Sequence, residues 1–385
     1  MAETEDLPEE IIVNIFTWLP VKSLIRFTSV SKRLHSIILS DPKFAQSQFD
    51  AARQQKTLNR RLLVSTDAPR LELDSLDLDT PSFGEPSSVR KLSFPFPPRP
   101  GGCVKLLGSC NGLVFVAVDE KLFYIWNPSI GFLKQLPDPG FPLAENVILF
   151  YGVGYLSATH DYKVLVASYD FREEEIEVEM FSLRTHIWLK IETPCLNIPF
   201  LLDLRGTLSN DALHWLNYVD DNKDEIVSFD LEDGVFRRMP PPNFEHDGKT
   251  FSKLGVCGGC LCVSRYPDGP FDSIDFWVMR EYAVSGSWIM LFTLKLSHPP
   301  ELPSRFGQIL VLESSTVAAR WTDGGSKLIK IDHKEDEKLG RYMLKGVRVC
   351  MIEYEESLLW IGSYHPVEKK EQVQIFETHQ KASGS

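Results

Sequence analysis

The chain has 385 residues, 43% of them apolar, and a formal net charge of −12, which is room for two globular units and a balance that disfavours nucleic acid, whose phosphates are bound by clustered Lys and Arg. The acid excess lies late: residues 1–60 carry 7 acids and 8 bases, residues 61–385 carry 46 and 33. The acidic opening MAETEDLPEE and the lack of any apolar run of about 18 residues exclude a basic leader and a membrane helix, so a soluble cytoplasmic or nuclear protein is expected.

Residues 7–38 predict three short helices. Asp6 is placed to cap the first, with Pro8 in its first turn and Glu9 as the capping-box acid. Ile11, Ile12, Ile15, Phe16 and Leu19 recur at helical spacing and give one broad apolar face, which Pro20 ends. Leu24, Phe27 and Val30 mark a second helix, and Leu34, Ile37 and Ile38 a third that stops before Asp41-Pro42. So short a unit cannot bury these faces alone, since below roughly 40 residues a lone core is inadequate. A partner is implied.

The order Leu7-Pro8, Glu10-Ile11, Ile15, Leu19-Pro20, Val21-Lys22-Ser23-Leu24, Arg26-Phe27, Val30-Ser31-Lys32 and Asp41-Pro42 with Phe44 resembles the F-box. Leu34 departs from it, standing where this class usually carries a tryptophan. The resemblance implies docking onto the adaptor subunit of an SCF-type cullin-RING ubiquitin ligase, with Leu7, Pro8, Ile11, Ile12, Ile15, Leu19 and Pro20 facing the adaptor. The periodicity alone also suits a helical hairpin that caps the rest of this chain.

From residue 108 the chain reads as short β-rich runs separated by Gly, Pro, Asn and Asp. Aromatic residues that close a strand recur at Trp126, Phe181, Phe229 and Tyr282, each followed by a second at Phe132, Trp188, Phe236 and Trp288. Glycines lead a preceding strand at Gly112, Gly154, Gly206, Gly259 and Gly307, and SLLWIG at 357–362, followed by VQIFETH, reads as a sixth occurrence without the glycine. A period near ~50 residues with about four strands per unit is the signature of a kelch-like β-propeller, with six blades expected. Glycine on the inner strands would let blades approach closely, and the paired aromatics, with Trp215, would fill the wedges between them. RRLLVST at 60–66 and LELDSLDL at 71–78 are expected to pair with VQIFETH and close the ring, with SFPFPPRPGG at 93–102 as a stiff connection.

GSCNGLV at 108–114, WNPSIGFLKQLP at 126–137, YGVGY with HDYKVL at 151–165 and ALHWL at 212–216 resemble the F-box-associated domain of plant F-box proteins of the F-box/kelch-repeat type. The charged HKEDEKLGRYMLKG replaces the aromatic hairpin in the fifth unit. The reading is therefore an all-α F-box over 1–48, a connector with closing strands over 49–107, an all-β propeller over 108–378 and a disordered tail over 379–385.

Chemistry is scarce in the pattern. There is no G-x-S-x-G, P-loop, HExxH or EF-hand spacing. His160-Asp161 and His214 read as turn and core residues, and the acid runs Asp220-Asp221 and Glu173 to Glu175 as solvated loops. The seven cysteines, Cys103, Cys110, Cys195, Cys257, Cys260, Cys262 and Cys350, form no disulfide framework, and Cys257-Gly-Gly-Cys260-Leu-Cys262 lacks the second ligand pair that zinc needs, so small residues of a buried strand are expected there. No metal or cofactor is called for. The sequence thus supports a non-catalytic substrate receptor, adaptor and cullin at one end and a client protein on the propeller, with blade loops such as Phe171 to Glu175, Pro241 to Thr250 and Tyr266 to Phe271 as contacts. The alternative is a propeller enzyme or small-ligand binder with a helical cap.

Overall fold

The computed structural model describes residues 8–361 except 67–71, 94, 96–103, 120, 140–145, 171–174, 193–203, 220–222, 240, 243–248, 268–272, 296–305, 313–314, 323–324, 333–336 and 345–348. It opens with α1 (Glu9–Thr17), α2 (Val21–Phe27), α3 (Lys32–Ser40) and α4 (Pro42–Gln54). Four helices stand where the sequence predicts three, and Asp41-Pro42 explains the difference. The pair ends α3 as expected, but the Asp41 carboxylate then accepts the backbone N–H groups of Lys43 (2.9 Å) and Phe44 (3.3 Å), with Pro42 in the first turn. The stop signal of one helix is the start signal of the next. α4 buries Phe44, Ala45, Phe49 and Ala52, which supplies much of the core that three helices lack.

Two local expectations are corrected. Pro8, not Asp6, holds the N-cap position of α1, no side chain caps it, and Glu9 pairs with Arg33 of α3 at 2.5 Å rather than closing a capping box. α2 ends at Phe27, so Val30 lies beyond it and is 68% exposed.

The strands that follow form six four-stranded antiparallel sheets. Sheet I combines β1 (Arg60–Thr66), β2 (Glu72–Asp77) and β3 (Val89–Leu92) with β24 (Val349–Glu355). Sheet II holds β4 (Val104–Cys110), β5 (Leu113–Val118), β6 (Leu122–Asn127) and β7 (Phe132–Gln135); sheet III holds β8 (Asn146–Leu156), β9 (Asp161–Asp170), β10 (Glu175–Ser182) and β11 (Ile187–Ile191). Sheet IV holds β12 (Thr207–Ser209), β13 (Ala212–Val219), β14 (Lys223–Asp230) and β15 (Phe236–Met239); sheet V holds β16 (Lys249–Cys257), β17 (Cys260–Pro267), β18 (Ser273–Met279) and β19 (Trp288–Lys295). Sheet VI holds β20 (Phe306–Val311), β21 (Ser315–Thr322), β22 (Gly325–Asp332) and β23 (Glu337–Leu344), the last formed by the charged stretch that replaces the aromatic hairpin. The inner strands β4, β8, β12, β16, β20 and β24 each touch the inner strands on both sides, so the sheets close into a propeller.

Among the described residues each seam between neighbouring sheets holds an apolar cluster, for example Phe115, Val153 and Phe181 between II and III, and Phe150, Trp215 and Phe229 between III and IV. Trp126, Trp215 and Trp288 are buried as expected. Trp188 is half-buried and donates its indole N–H to the Pro137 carbonyl of the preceding sheet at 2.8 Å. The aromatic pairs oppose each other across strands in two cases, Phe181 with Trp188 and Phe229 with Phe236. Tyr282 does not follow the pattern. It lies beyond β18, and Met279 takes the position opposite Trp288.

Glycine permits close approach where expected in β8. A Cβ on Gly152 would lie 2.6 Å from Leu213 of sheet IV, and one on Gly154 2.5 Å from Leu231. Gly112 and Gly259 sit in the turns after β4 and β16 at φ 77° and 80°; a Cβ on Gly112 would also lie 2.7 Å from the Glu355 carbonyl of sheet I, whereas one on Gly259 would meet no atom within 4 Å, so only Gly259 serves the hairpin alone.

The ring closes with a different partner from the one expected. β1 pairs with VCMIEYE in β24, Leu63 opposite Ile352 and Arg61 opposite Tyr354; VQIFETH lies outside the described residues. Of SLLWIG, residues 357–361 form no strand, because their leucines belong to another core. Across the centre, the Arg205 guanidinium, just before β12, donates to the Met351 carbonyl of β24 at 2.8 Å, joining sheets IV and I, which lie opposite each other in the ring.

Candidate functional site

The turns joining first to second and third to fourth strands open on one end of the propeller, and the helices sit there, since the chain leaves α4 for the start of β1 at that end. The helical core is shared. Phe16, Val21, Leu24, Ile38, Phe44 and Phe49 pack with Leu358 and Leu359, which follow β24, and touch Ile130 of the β6–β7 turn. Leu34 is half-buried against this core, so its departure from the usual tryptophan bears on internal packing.

Polar groups fix the junction. Asn127, fully buried, donates its carboxamide to the carbonyls of Ser357 (3.0 Å) and Leu359 (2.8 Å) and accepts the Ser129 N–H (2.8 Å). The asparagine of the WNPS segment is thus the clamp that presents Leu358 and Leu359 to the helices. Asn127→Ala leaves buried carbonyls unpaired and is expected to cost about 2–3 kcal/mol in chemical denaturation, against little change for the exposed Ser157→Ala. Beside it, Glu356 is 3% exposed and its carboxylate meets Asn59 Nδ2 (2.9 Å), Arg90 (3.1 Å) and Arg61 (3.8 Å). Arg61, itself buried, also donates to Ser75 Oγ (2.6 Å) and the Ser75 carbonyl (2.8 Å).

The residues expected to face an adaptor divide into two sets. Ile12 and Leu19 are half-buried against the helical core. Pro8 and Pro20 are exposed, as are Ile11 (44%) and Ile15 (49%); Leu7 lies outside the described residues. Trp18, 59% exposed, extends the row at i, i+4, i+7 spacing and lines a cleft with Pro20, Gln48 and Leu58. The apolar set read from the sequence, Ile11, Ile12, Ile15, Phe16 and Leu19, omits Trp18, although Trp18 shares the spacing of Ile11 and Ile15. Phe27 is 37% exposed and lies 4.9 Å from the Phe16 ring.

The residues considered for catalysis are held in structural roles. His160 occupies a turn at φ 52° with Nδ1 2.9 Å from the Tyr155 hydroxyl. Asp161 accepts from Ser182 Oγ (2.6 Å) and the Arg184 N–H (2.8 Å). His214 is buried, Nδ1 at 3.1 Å from the Thr207 carbonyl and Nε2 at 2.9 Å from the Tyr282 hydroxyl, and burial lowers its pKa to about 4. Asp220-Asp221, Glu173-Glu174, Cys103 and Cys195 lie outside the described residues, and among the described residues no cluster of His, Cys, Asp and Glu could hold a metal. No helix among them is long and apolar enough to cross a membrane.

The strand ends flanking 171–174, 243–248 and 268–272 open on the end of the propeller away from the helices, with those connecting residues themselves outside the described set.

Comparison with known proteins agrees with this architecture. Residues 5–46 match the F-box domain and residues 85–366 the F-box associated beta propeller domain. The chain is 30% identical to F-box protein CPR1 of Arabidopsis thaliana over 75% of its own length and 73% of the relative's. It is 27% identical to F-box/kelch-repeat protein At3g23880 of the same plant over 76% and 81%. TolB from Acinetobacter baumannii is similar in fold alone, with a TM-score of 0.51 at 10% identity, covering 81% of this chain and 72% of that one. With its helices, its ring of sheets and both segments matched in order, the chain belongs to the F-box proteins that carry an F-box-associated β-propeller.

Proposed function

We propose that this chain is the substrate-receptor subunit of an SCF-type cullin-RING ubiquitin ligase, a non-catalytic part that holds a client protein on the propeller while the F-box holds the adaptor and, through it, the cullin. The observation that carries the reading is the solvent-facing row of Ile11 and Ile15 on α1 and Trp18 at its C-cap, backed by a filled core. A cap would spend its apolar residues on the propeller. Here one face of the helices packs on Leu358, Leu359 and Ile130 while the other stays in water, and an exposed apolar row of this kind marks a protein-binding surface. Pro8, Ile11, Ile15 and Pro20, with Leu7, are the adaptor contacts of this reading, and Ile12 and Leu19 support them from behind. The client is taken at the opposite end of the ring, and its ubiquitination follows from proximity.

The test is capture of the adaptor by wild type, Leu7→Ala/Pro8→Ala and Ile15→Asp. Ile15 is half in water, so Ile15→Asp should leave the melting temperature within experimental scatter. Burying its carboxylate in the complex should lower adaptor affinity at least ~30-fold, the loss of about 2 kcal/mol that defines an interface anchor. Undiminished capture by both variants would overturn the assignment.

A further inference from the structure

Cys257-Gly-Gly-Cys260-Leu-Cys262 takes no part in the function proposed above, and the structure corrects the view of it as a buried strand. Cys257 ends β16 and Cys260 begins β17, directly opposite each other in the antiparallel register, with Gly255 opposite Cys262. Between them Gly258 (φ 58°) and Gly259 (φ 80°) make the left-handed pair that a two-residue hairpin turn requires. Opposed residues of an antiparallel pair have Cα atoms ~4.5–5.5 Å apart, inside the ~4.4–6.8 Å range of disulfides, and their side chains leave the same face of the sheet. Alternation along β17 puts Cys262 on that face too, where it is buried with Phe276 and Val278.

Access separates the three thiols. Cys257 and Cys260 are half-buried beside two exposed glycines, and a Cβ added to either glycine would meet no atom within 4 Å, so a small oxidant can reach the turn. Cys262 is 2% exposed. Burial also pushes its thiol pKa up, which keeps it in the unreactive protonated form.

We propose that Cys257 and Cys260 are a reversible dithiol–disulfide pair, oxidised by hydrogen peroxide, with Cys262 a bystander. One thiolate attacks a peroxide oxygen, the O–O bond breaks, and a sulfenic acid forms as hydroxide leaves and is protonated to water. The second thiolate attacks the sulfenic sulfur, the S–O bond breaks, and a second hydroxide leaves as water. Two thiols lose two electrons and two protons in total, and one peroxide becomes two waters. The new bond staples the inner strand β16 to β17 at the end of the propeller that carries the helices. In a reducing compartment such a bond is transient, the usual form of intracellular disulfide chemistry.

The full chain is treated with hydrogen peroxide, freed of the oxidant, unfolded in guanidinium chloride so that iodoacetamide reaches every remaining thiol, alkylated and, after dilution, cut with trypsin; the peptide 254–265, between Lys253 and Arg265, contains all three cysteines. The expected species lacks two hydrogens, carries a single alkyl group on Cys262, and gains alkylation at all three cysteines if dithiothreitol precedes alkylation. Cys257→Ser and Cys260→Ser should each abolish it, and Cys262→Ser should keep it. A bond from Cys262 to either neighbour, sulfinic acid without a cross-link, or full alkylation after peroxide treatment would each overturn the proposal.

Discussion

Glu356→Ala is expected to lower the unfolding free energy by about 3–5 kcal/mol, the loss typical when one partner of a buried ion pair is removed and the other is left uncompensated. Glu356 is 3% exposed and accepts from Asn59 at 2.9 Å and Arg90 at 3.1 Å. Arg61, at 3.8 Å and only 5% exposed, would retain Ser75 and Asp77 but lose its nearest buried counter-charge. The Glu356 N–H also donates to the Asn59 carbonyl at 2.9 Å, tying the start of β1 to the end of β24. Glu356→Gln, which keeps an acceptor for Asn59 and loses the charge, should fall between wild type and alanine. Denaturant titration read by the fluorescence of the chain's 8 tryptophans measures both, and a midpoint unchanged in the alanine variant would show that the network contributes nothing net.

Leu358→Ala should cost about 2–5 kcal/mol, as for other fully buried leucines, but the loss should be localised. Leu358 is 0% exposed and lies in the helical core with Leu24, Ile38 and Phe49. Hydrogen exchange should therefore accelerate in α1–α4 while the inner strands β4 and β8 keep their protection. Adaptor capture should fall as well, because the row on α1 is displayed only while that helix is held. Equal loss of protection in helices and sheets would mean that the two parts open as one unit. The same packing predicts that residues 1–58 alone are a poor stand-in for the F-box of this chain, since two leucines of its core are encoded some three hundred residues later.

The helices and the repeat were legible in the sequence because each rests on local periodicity. Ile11 to Leu19 has helical spacing, and the hairpins carry turn glycines and closing aromatics at regular intervals. What local signals leave open is which partner an apolar run chooses. SLLWIG has the composition of an inner strand, yet Leu358 and Leu359 fill the helical core, and the plainer alternating VCMIEYE takes the place in the sheet. Asp41-Pro42 is ambiguous for a related reason, since a helix stop and a helix N-cap use the same residues. The exposed row was half legible: Ile11 and Ile15 follow from the family pattern, whereas Trp18 emerges only when the core is seen to be filled by α4 and the residues after β24.

The Arg205 contact with Met351 reaches farther than one hydrogen bond suggests. Sheet I is assembled from both ends of the propeller segment, so it is the seam at which this wheel was joined, and it is also where the chain leaves for the F-box. Arg205 makes a spoke from that seam to the inner edge of the opposite sheet. A pull on the F-box helices would thereby be shared with sheet IV instead of being borne by the β1–β24 ladder alone. The spoke also crosses the hub, so sheets I and IV are tied through the centre of the ring as well as around it.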